Sequence, residues 1–141
     1  MNEYNFSDLI IGHTEHFGVI VTKEMEDSFR NITGDINPLH QDDVFACRSG
    51  KGKFKGHVCF GMLTASFYST LAGVYLPGKH SLIHSLDIKF QKPVYVGDQL
   101  TVSGKITDKQ NELQLILIKA EIRNQKSQSV SKATIKVLCL E

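Results

Sequence analysis

Residues Ile32 to Asp43 read ITGDINPLHQDD. Asp35, Asn37, Pro38 and His40 fall within six residues. Gly34 is suited to end a helix, because the residue past a helix C-terminus often needs positive φ. Asn37 is a favoured N-cap, and Pro38 is the residue best tolerated at the first helical position. The pattern predicts one helix closing at Gly34 and a second running from Pro38 to about Ala46. An acid and an imidazole then flank a stiff corner. Ordinary polar decoration of a turn explains this arrangement, and so does a pair of proton-handling groups in fixed register. As third residue of the second helix, His40 would sit near the positive end of the dipole, which favours neutral imidazole. Asp35 precedes the cap by two residues, so both side chains could reach one water, as a two-group proton relay requires.

Upstream, FGVIVT (Phe17 to Thr22) reads as a strand, and Thr22 can cap a helix with Glu24 and Glu26 in its first turn. Met25, Phe29 and Ile32 give that helix one apolar face. Downstream, RSGKGKFKGH is a Gly/Lys loop leading to a long apolar helix, roughly Gly61 to Leu76. The last third changes to period two. Leu113, Leu115 and Leu117 alternate with Gln114, Ile116 and Ile118, and Ile135, Val137 and Cys139 alternate with Lys136 and Leu138. With LIHSLDIKFQKPVYVGD and QLTVSGKITD these segments predict four antiparallel strands, joined at Thr107-Asp108 and at Asn124 to Ser129. A buried helix followed by such strands predicts the α+β class, an antiparallel sheet curved around the helix. Dimerisation would cover its open edges and excess apolar surface.

Bulk properties narrow the function classes. The 141 residues fit one domain over residues 1–141, with 41% hydrophobic and 22% charged residues. A net charge of +1 argues against nucleic acid as the main partner. Cys47, Cys59 and Cys139 have no C-x-x-C spacing and an odd count, which suits a reduced, cytoplasmic protein. The N-terminus carries Glu3 and Asp8 and no early Lys or Arg, unlike a signal or transit peptide. Val58 to Leu76 is uncharged, yet it holds Thr64, Ser66, Tyr68, Ser69 and Thr70 and stops at Pro77-Gly78, so it reads as a core helix and not a membrane span.

Two further features bear on chemistry. Gly61 opens the apolar helix, where unpaired amides without a blocking side chain could meet a developing negative charge; it could equally serve tight packing. Between Val44 and Leu86 there is no Asp or Glu, while Arg48, Lys51, Lys53, Lys55 and Lys79 are basic. Such a surface suits a phosphate-bearing ligand, or is simply a solvated loop. His13 and His16 lack a recognised metal-ligand spacing, and no metal is expected. His57, His80 and His84 read as surface or pocket-lining residues. Met62, Leu63, Phe67, Leu71 and Val74 read as core that could also line an acyl tunnel.

TGDINPLHQDDVFA resembles the signature of the MaoC-like, (R)-specific enoyl-CoA hydratase family: Gly-Asp-x-Asn-Pro-hydrophobic-His, then a small residue six positions on, here Ala46. The resemblance continues through GMLTASFYSTLAG, LPGK and KFQKPVYVGDQL. It implies a hot-dog fold, usually dimeric, acting on trans-2-enoyl thioesters of CoA or a carrier protein without a cofactor. Carried over by position, Asp35 and His40 would be the catalytic pair, Gly61 the oxyanion amide donor and Ser69 a hydroxyl orienting Asp35. Asn37 would hold the corner. Apart from that carry-over, Lys55 and Lys79 from the basic stretch and Phe60, Met62 and Leu63 from the apolar helix and the residue before it are expected to contribute to substrate binding. Many relatives carry histidine where this chain has Phe60, and the loop RSGKGKFKG looks longer than in compact members. Both departures bear on substrate preference. A hot-dog thioesterase and a non-catalytic acyl-thioester-binding subunit are the competing expectations.

Overall fold

Apolar alternation in the last third of the chain builds the sheet. The computed structural model describes residues 1–141. Its strands are β1 (Thr14–Ile20), β2 (Ser81–Phe90), β3 (Gln99–Gln110), β4 (Leu115–Arg123) and β5 (Ser129–Cys139). They form one antiparallel sheet in the order β1-β3-β4-β5-β2. Ile135, Val137 and Cys139 face inward, as the period predicts. On β4 the inward series is Ile116, Ile118, Ala120 and Ile122, while Leu113 is exposed. The run of consecutive aliphatics hid the register: either parity reads as apolar, and the inner face goes to the one continued by Ala120 and Ile122. The turn expected at Thr107-Asp108 is instead an irregularity within β3, and the chain reverses beyond Gln110.

Three helices precede or interrupt the strands: α1 (Lys23–Thr33), α2 (Asp43–Ser49) and α3 (Gly61–Thr70), the last continuing as a wider π turn over Leu71–Tyr75. Thr22 caps α1 by accepting the Met25 N–H at 3.2 Å, and Gly34 ends it at φ 71°. The apolar face of α1 is shorter than its spacing suggests. Met25 and Phe29 pack on the core, Ile32 is 82% exposed, and Glu26 is buried. No helix is long and apolar enough to cross a membrane.

α3 and its π turn lie across the inner face of the sheet, with Leu63, Tyr68, Leu71, Ala72 and Leu76 in one core cluster with residues of β3, β4 and β5. The buried Tyr68 hydroxyl pairs with Ser131 Oγ at 2.6 Å, which satisfies both groups in the interior. This is the α+β, hot-dog arrangement of a helix wrapped by an antiparallel sheet. Gly104 on β3 allows the close approach: a Cβ there would lie 2.8 Å from Leu71 Cδ2 and 2.9 Å from Ile118 Cγ2. Gly104→Val is therefore expected to cost about 2 kcal/mol or more through overpacking, read as a lower urea midpoint.

Candidate active site

Two successive Asx turns shape the corner. Asp35 Oδ1 accepts the Asn37 N–H at 3.0 Å, and Asn37 Oδ1 accepts the Leu39 N–H at 2.9 Å. Asn37 and Pro38 thus act as cap and first residue, but of a single 3-10 turn, Pro38–His40. The continuous helix expected from Pro38 to Ala46 breaks because Asp42 forms a second cap, accepting the Phe45 N–H at 2.9 Å. Hence no α-helix dipole acts on His40.

Hydrogen bonding orients the ring instead. His40 Nδ1 lies 2.8 Å from the Val58 carbonyl, which can only accept, so Nδ1 carries the proton. In the neutral ring Nε2 then holds the lone pair. Phe60 packs against the imidazole at 4.3 Å between centroids, Phe29 backs Phe60 at 5.0 Å, and the Arg30 guanidinium lies 5.5 Å from the Phe60 centroid. Arg30 Nη2 also donates to the His40 carbonyl at 3.1 Å. Successive amides strap the segment opposite: His57 N–H to Asp43 Oδ1 at 2.8 Å, Val58 N–H to the Leu39 carbonyl at 3.0 Å, and Cys59 N–H to the Val94 carbonyl at 2.7 Å.

His40 and Gly61 line one cavity of about 300 Å³, with Phe54, Thr64, Phe90 and Val94 among its walls and Lys92 and Pro93 at its side. Gly61 is the first residue of α3, so its amide has no partner within the helix. A Cβ at Gly61 would meet the Phe90 ring at 3.1 Å, so glycine keeps this wall open. Thr64 is buried and donates its hydroxyl to the Gly61 carbonyl at 2.8 Å.

The other sequence candidates are dispersed. Asp35 is exposed on the corner and is not among the cavity walls. Ser69 is exposed on α3, and the partner of the Asp35 carboxylate within the chain is the Asn37 amide, not Ser69. Phe60 is buried behind His40, Leu63 is core, and Met62 is 63% exposed. Lys55 lines a neighbouring depression with Lys53, Lys92 and Lys126, whereas Lys79 pairs with Glu3 at 3.4 Å outside both hollows. His13 precedes β1 and His16 lies within it; His13 contacts Glu15 at 3.3 Å and packs edge-on against Tyr4. The residues that sequence reasoning missed are Phe54, Thr64, Phe90 and Lys92. Phe90 ends β2 and Lys92 follows it, far from the corner in sequence, and only sheet closure brings them to it.

Cys59 also lines the cavity, but burial pushes its thiol up to about 12, with the Glu26 charge adding to the effect. A thiol so shifted is not a nucleophile near neutral pH.

A long helix wrapped by a curved antiparallel sheet, with a histidine and a helix-initial glycine sharing one cavity, defines the class as a hot-dog protein with a ligand pocket. Residues 11–130 match the MaoC like domain, and the chain belongs to that family. Over 107 residues it is 35% identical to the 3-hydroxybutyryl-CoA dehydratase of Methylorubrum extorquens, covering 73% of this chain and 64% of that protein. Over 80 residues it is 39% identical to the (R)-specific enoyl-CoA hydratase of Aeromonas caviae, covering 57% of this chain and 58% of that one. The chain thus spans about three fifths of the length of these curated relatives. The solved (R)-hydratase from A. caviae involved in PHA biosynthesis superposes with a TM-score of 0.85 at 27% identity, covering 93% of this chain and 97% of that one. An unliganded R-hydratase from Pseudomonas aeruginosa, 23% identical, shares the fold with a TM-score of 0.87, covering 97% of this chain and 86% of that one.

In the native protein at neutral pH, Cys59 and the buried Cys139 are expected to resist iodoacetamide and to react fully after unfolding. Mass spectrometry of the labelled peptides checks this; rapid native labelling of Cys59 would contradict it.

Proposed function

We propose that this protein catalyses the reversible hydration of trans-2-enoyl thioesters to (R)-3-hydroxyacyl thioesters. The observation that carries the proposal is the shared cavity: a tautomerically fixed His40 and the free amide at the start of α3 border the same space. Membership of the MaoC-like family and the activities named for its relatives support it.

In this reading the thioester carbonyl oxygen sits on the Gly61 amide. Attack at C3 moves charge onto that oxygen, and a donor already in place needs no reorganisation to meet it. One water is held by the Asp35 carboxylate and His40 Nε2. As its oxygen bonds to C3, the Asp35 carboxylate takes one of its protons and hands that proton to C2 on the same side, so the carboxylate is regenerated and the net change is addition of one water. Asp35 Oδ1 is occupied by the Asn37 amide, which leaves Oδ2 for the water. The thioester acidifies C2, so the scheme calls on no metal or redox cofactor. Lys53, Lys55, Lys92 and Lys126 line a depression that shares Lys92 and Pro93 with the cavity, a fitting rest for the phosphates of CoA or of a carrier-bound phosphopantetheine.

The working unit is proposed to be a homodimer. β2 is an edge strand with Leu82 54%, Leu86 39% and Phe90 52% exposed, and Phe90 is also a cavity wall. Pairing that edge with a second copy would cover the apolar side chains and brace the wall.

Crotonyl-CoA is the direct test. Loss of the conjugated-enoyl absorbance without thiol release is expected; thiol release would mean a thioesterase, and binding without either change a non-catalytic subunit. Asp35→Asn and His40→Gln should each lower kcat by about 10²-fold or more with the circular dichroism spectrum unchanged. Wild-type rates in either variant would remove that residue from the mechanism. Leu86→Glu should yield a monomer in size-exclusion chromatography with light scattering; an unchanged dimer would move the interface elsewhere.

A further inference from the structure

The most unusual buried charge in the chain lies outside the proposed catalytic set. Glu26, on the side of α1 that packs inward, is only 3% exposed. Its Oε1 has no hydrogen-bond partner within the chain, and its Oε2 lies 3.1 Å from His57 Nε2. On the other side of the same ring, Nδ1 lies 2.6 Å from Asp43 Oδ1 in the first turn of α2. The His57 backbone amide donates to that oxygen as well, at 2.8 Å. One imidazole thus bridges two carboxylates carried by two different helices.

We propose that Glu26, His57 and Asp43 form a proton-dependent clamp that positions His40 through Val58. The proposal rests on His40 acting in the reaction proposed above.

The proton count makes the clamp conditional. A neutral imidazole has one N–H and one lone pair, so it cannot donate to two carboxylates. Both contacts are satisfied when the unit holds one extra proton, whether that proton sits on Nε2 or on Oε2. When it leaves, a ring lone pair faces a buried carboxylate oxygen, and the contact turns repulsive. Burial opposes a charged ring, but the Asp43 hydrogen bond and then the charge and hydrogen bond of Glu26 outweigh it, so the pKa of His57 is raised above its ordinary 6.5. The His57 hydrogen bonds in turn hold Asp43 below the usual carboxylate range. The charged groups facing His57 are therefore Glu26 from α1 and Asp43 from α2. Arg30, one turn further along α1, faces the His40 carbonyl, while Asp98 acts on Cys59 and not on the ring.

Connection to the site is one peptide long. Val58, the next residue, accepts His40 Nδ1–H and donates to the Leu39 carbonyl. Opening the clamp releases His57 from α1 and loosens the segment that fixes the His40 tautomer. Small displacements of a catalytic group are costly, on the order of 10²-fold for about 1 Å. The sign follows from the raised pKa: the clamp is closed below the ordinary histidine range and opens as pH rises through the folded-state value. The consequence is a fall in kcat on the alkaline side that belongs to neither Asp35 nor His40.

Glu26→Gln separates the clamp from simple packing. Its amide N–H₂ can donate to the Nε2 of a neutral ring while Nδ1–H still reaches Asp43, so the bridge needs no extra proton. NMR of ¹⁵N-histidine-labelled protein is expected to show His57 titrating above 6.5 in the wild type, with the His40 ring signals moving at the same midpoint. In Glu26→Gln that coupled movement should vanish. Crotonyl-CoA hydration over the same range should lose about tenfold or more in kcat across the midpoint, with little change in KM, and Glu26→Gln should lack that limb. The clamp is overturned if wild-type His57 titrates at or below its ordinary value, if His40 ignores its titration, or if the two pH profiles coincide. If crotonyl-CoA is not hydrated while the NMR coupling appears, the clamp stands and the hydratase reading falls, so the two failures are distinct.

Discussion

The hydrogen bond from His40 Nδ1 to the Val58 carbonyl, 2.8 Å long, joins the two halves of the proposed site. On one side stands the Asx-turn corner that carries Asp35; on the other, the extended segment that runs into α3 and ends on the Gly61 amide. Everything proposed for chemistry requires these halves to stay in register, because the acid and the ring come from the corner and the oxyanion donor from the start of α3. Loops are free to carry such groups only when something rigid holds them. Here the support is the Phe60–Phe29–Arg30 layer beneath the imidazole and the three successive amides of residues 57–59, each bonded to a different part of the chain.

The sheet serves the same end indirectly. Wrapping α3 brings the end of β2 and the following Gln91–Val94 across the start of the helix, so Phe90 becomes a wall of the cavity that Gly61 opens onto. β2 is also an edge, and it leaves Leu82, Leu86 and Phe90 uncovered. One strand therefore carries both the pocket wall and an uncovered apolar edge, which makes association and pocket shape parts of one problem.

Local chemistry was legible in the sequence wherever one residue decides a conformation. Thr22 as cap, Gly34 at positive φ and Asn37-Pro38 at a helical start are each found where their side chains require. The resemblance carried by the Gly-Asp-x-Asn-Pro-x-His stretch led to the family and the fold. What escaped depended on tertiary context. QDD holds a second cap, Asp42, that competes with continuation of the first helix, and the sequence contained that signal. The parity of β4 could not be chosen while neighbouring positions were all aliphatic. Glu26 read as a dipole-stabilising first-turn residue, because nothing local reveals that His57, 31 positions away, will cover it. Ser69 was carried over by position and Lys79 came from the basic stretch, and within one chain both lie apart from the cavity.

The central claim is geometric: an acyl thioester lies with its carbonyl oxygen on the start of α3 and its third carbon beside the fixed imidazole. A crystal structure with bound (R)-3-hydroxybutyryl thioester addresses it most directly. The account predicts the thioester oxygen about 2.9 Å from Gly61 N and the 3-hydroxyl within hydrogen-bond reach of both His40 Nε2 and Asp35. An acyl group bound elsewhere, or one whose hydroxyl is out of reach of both side chains, would contradict it.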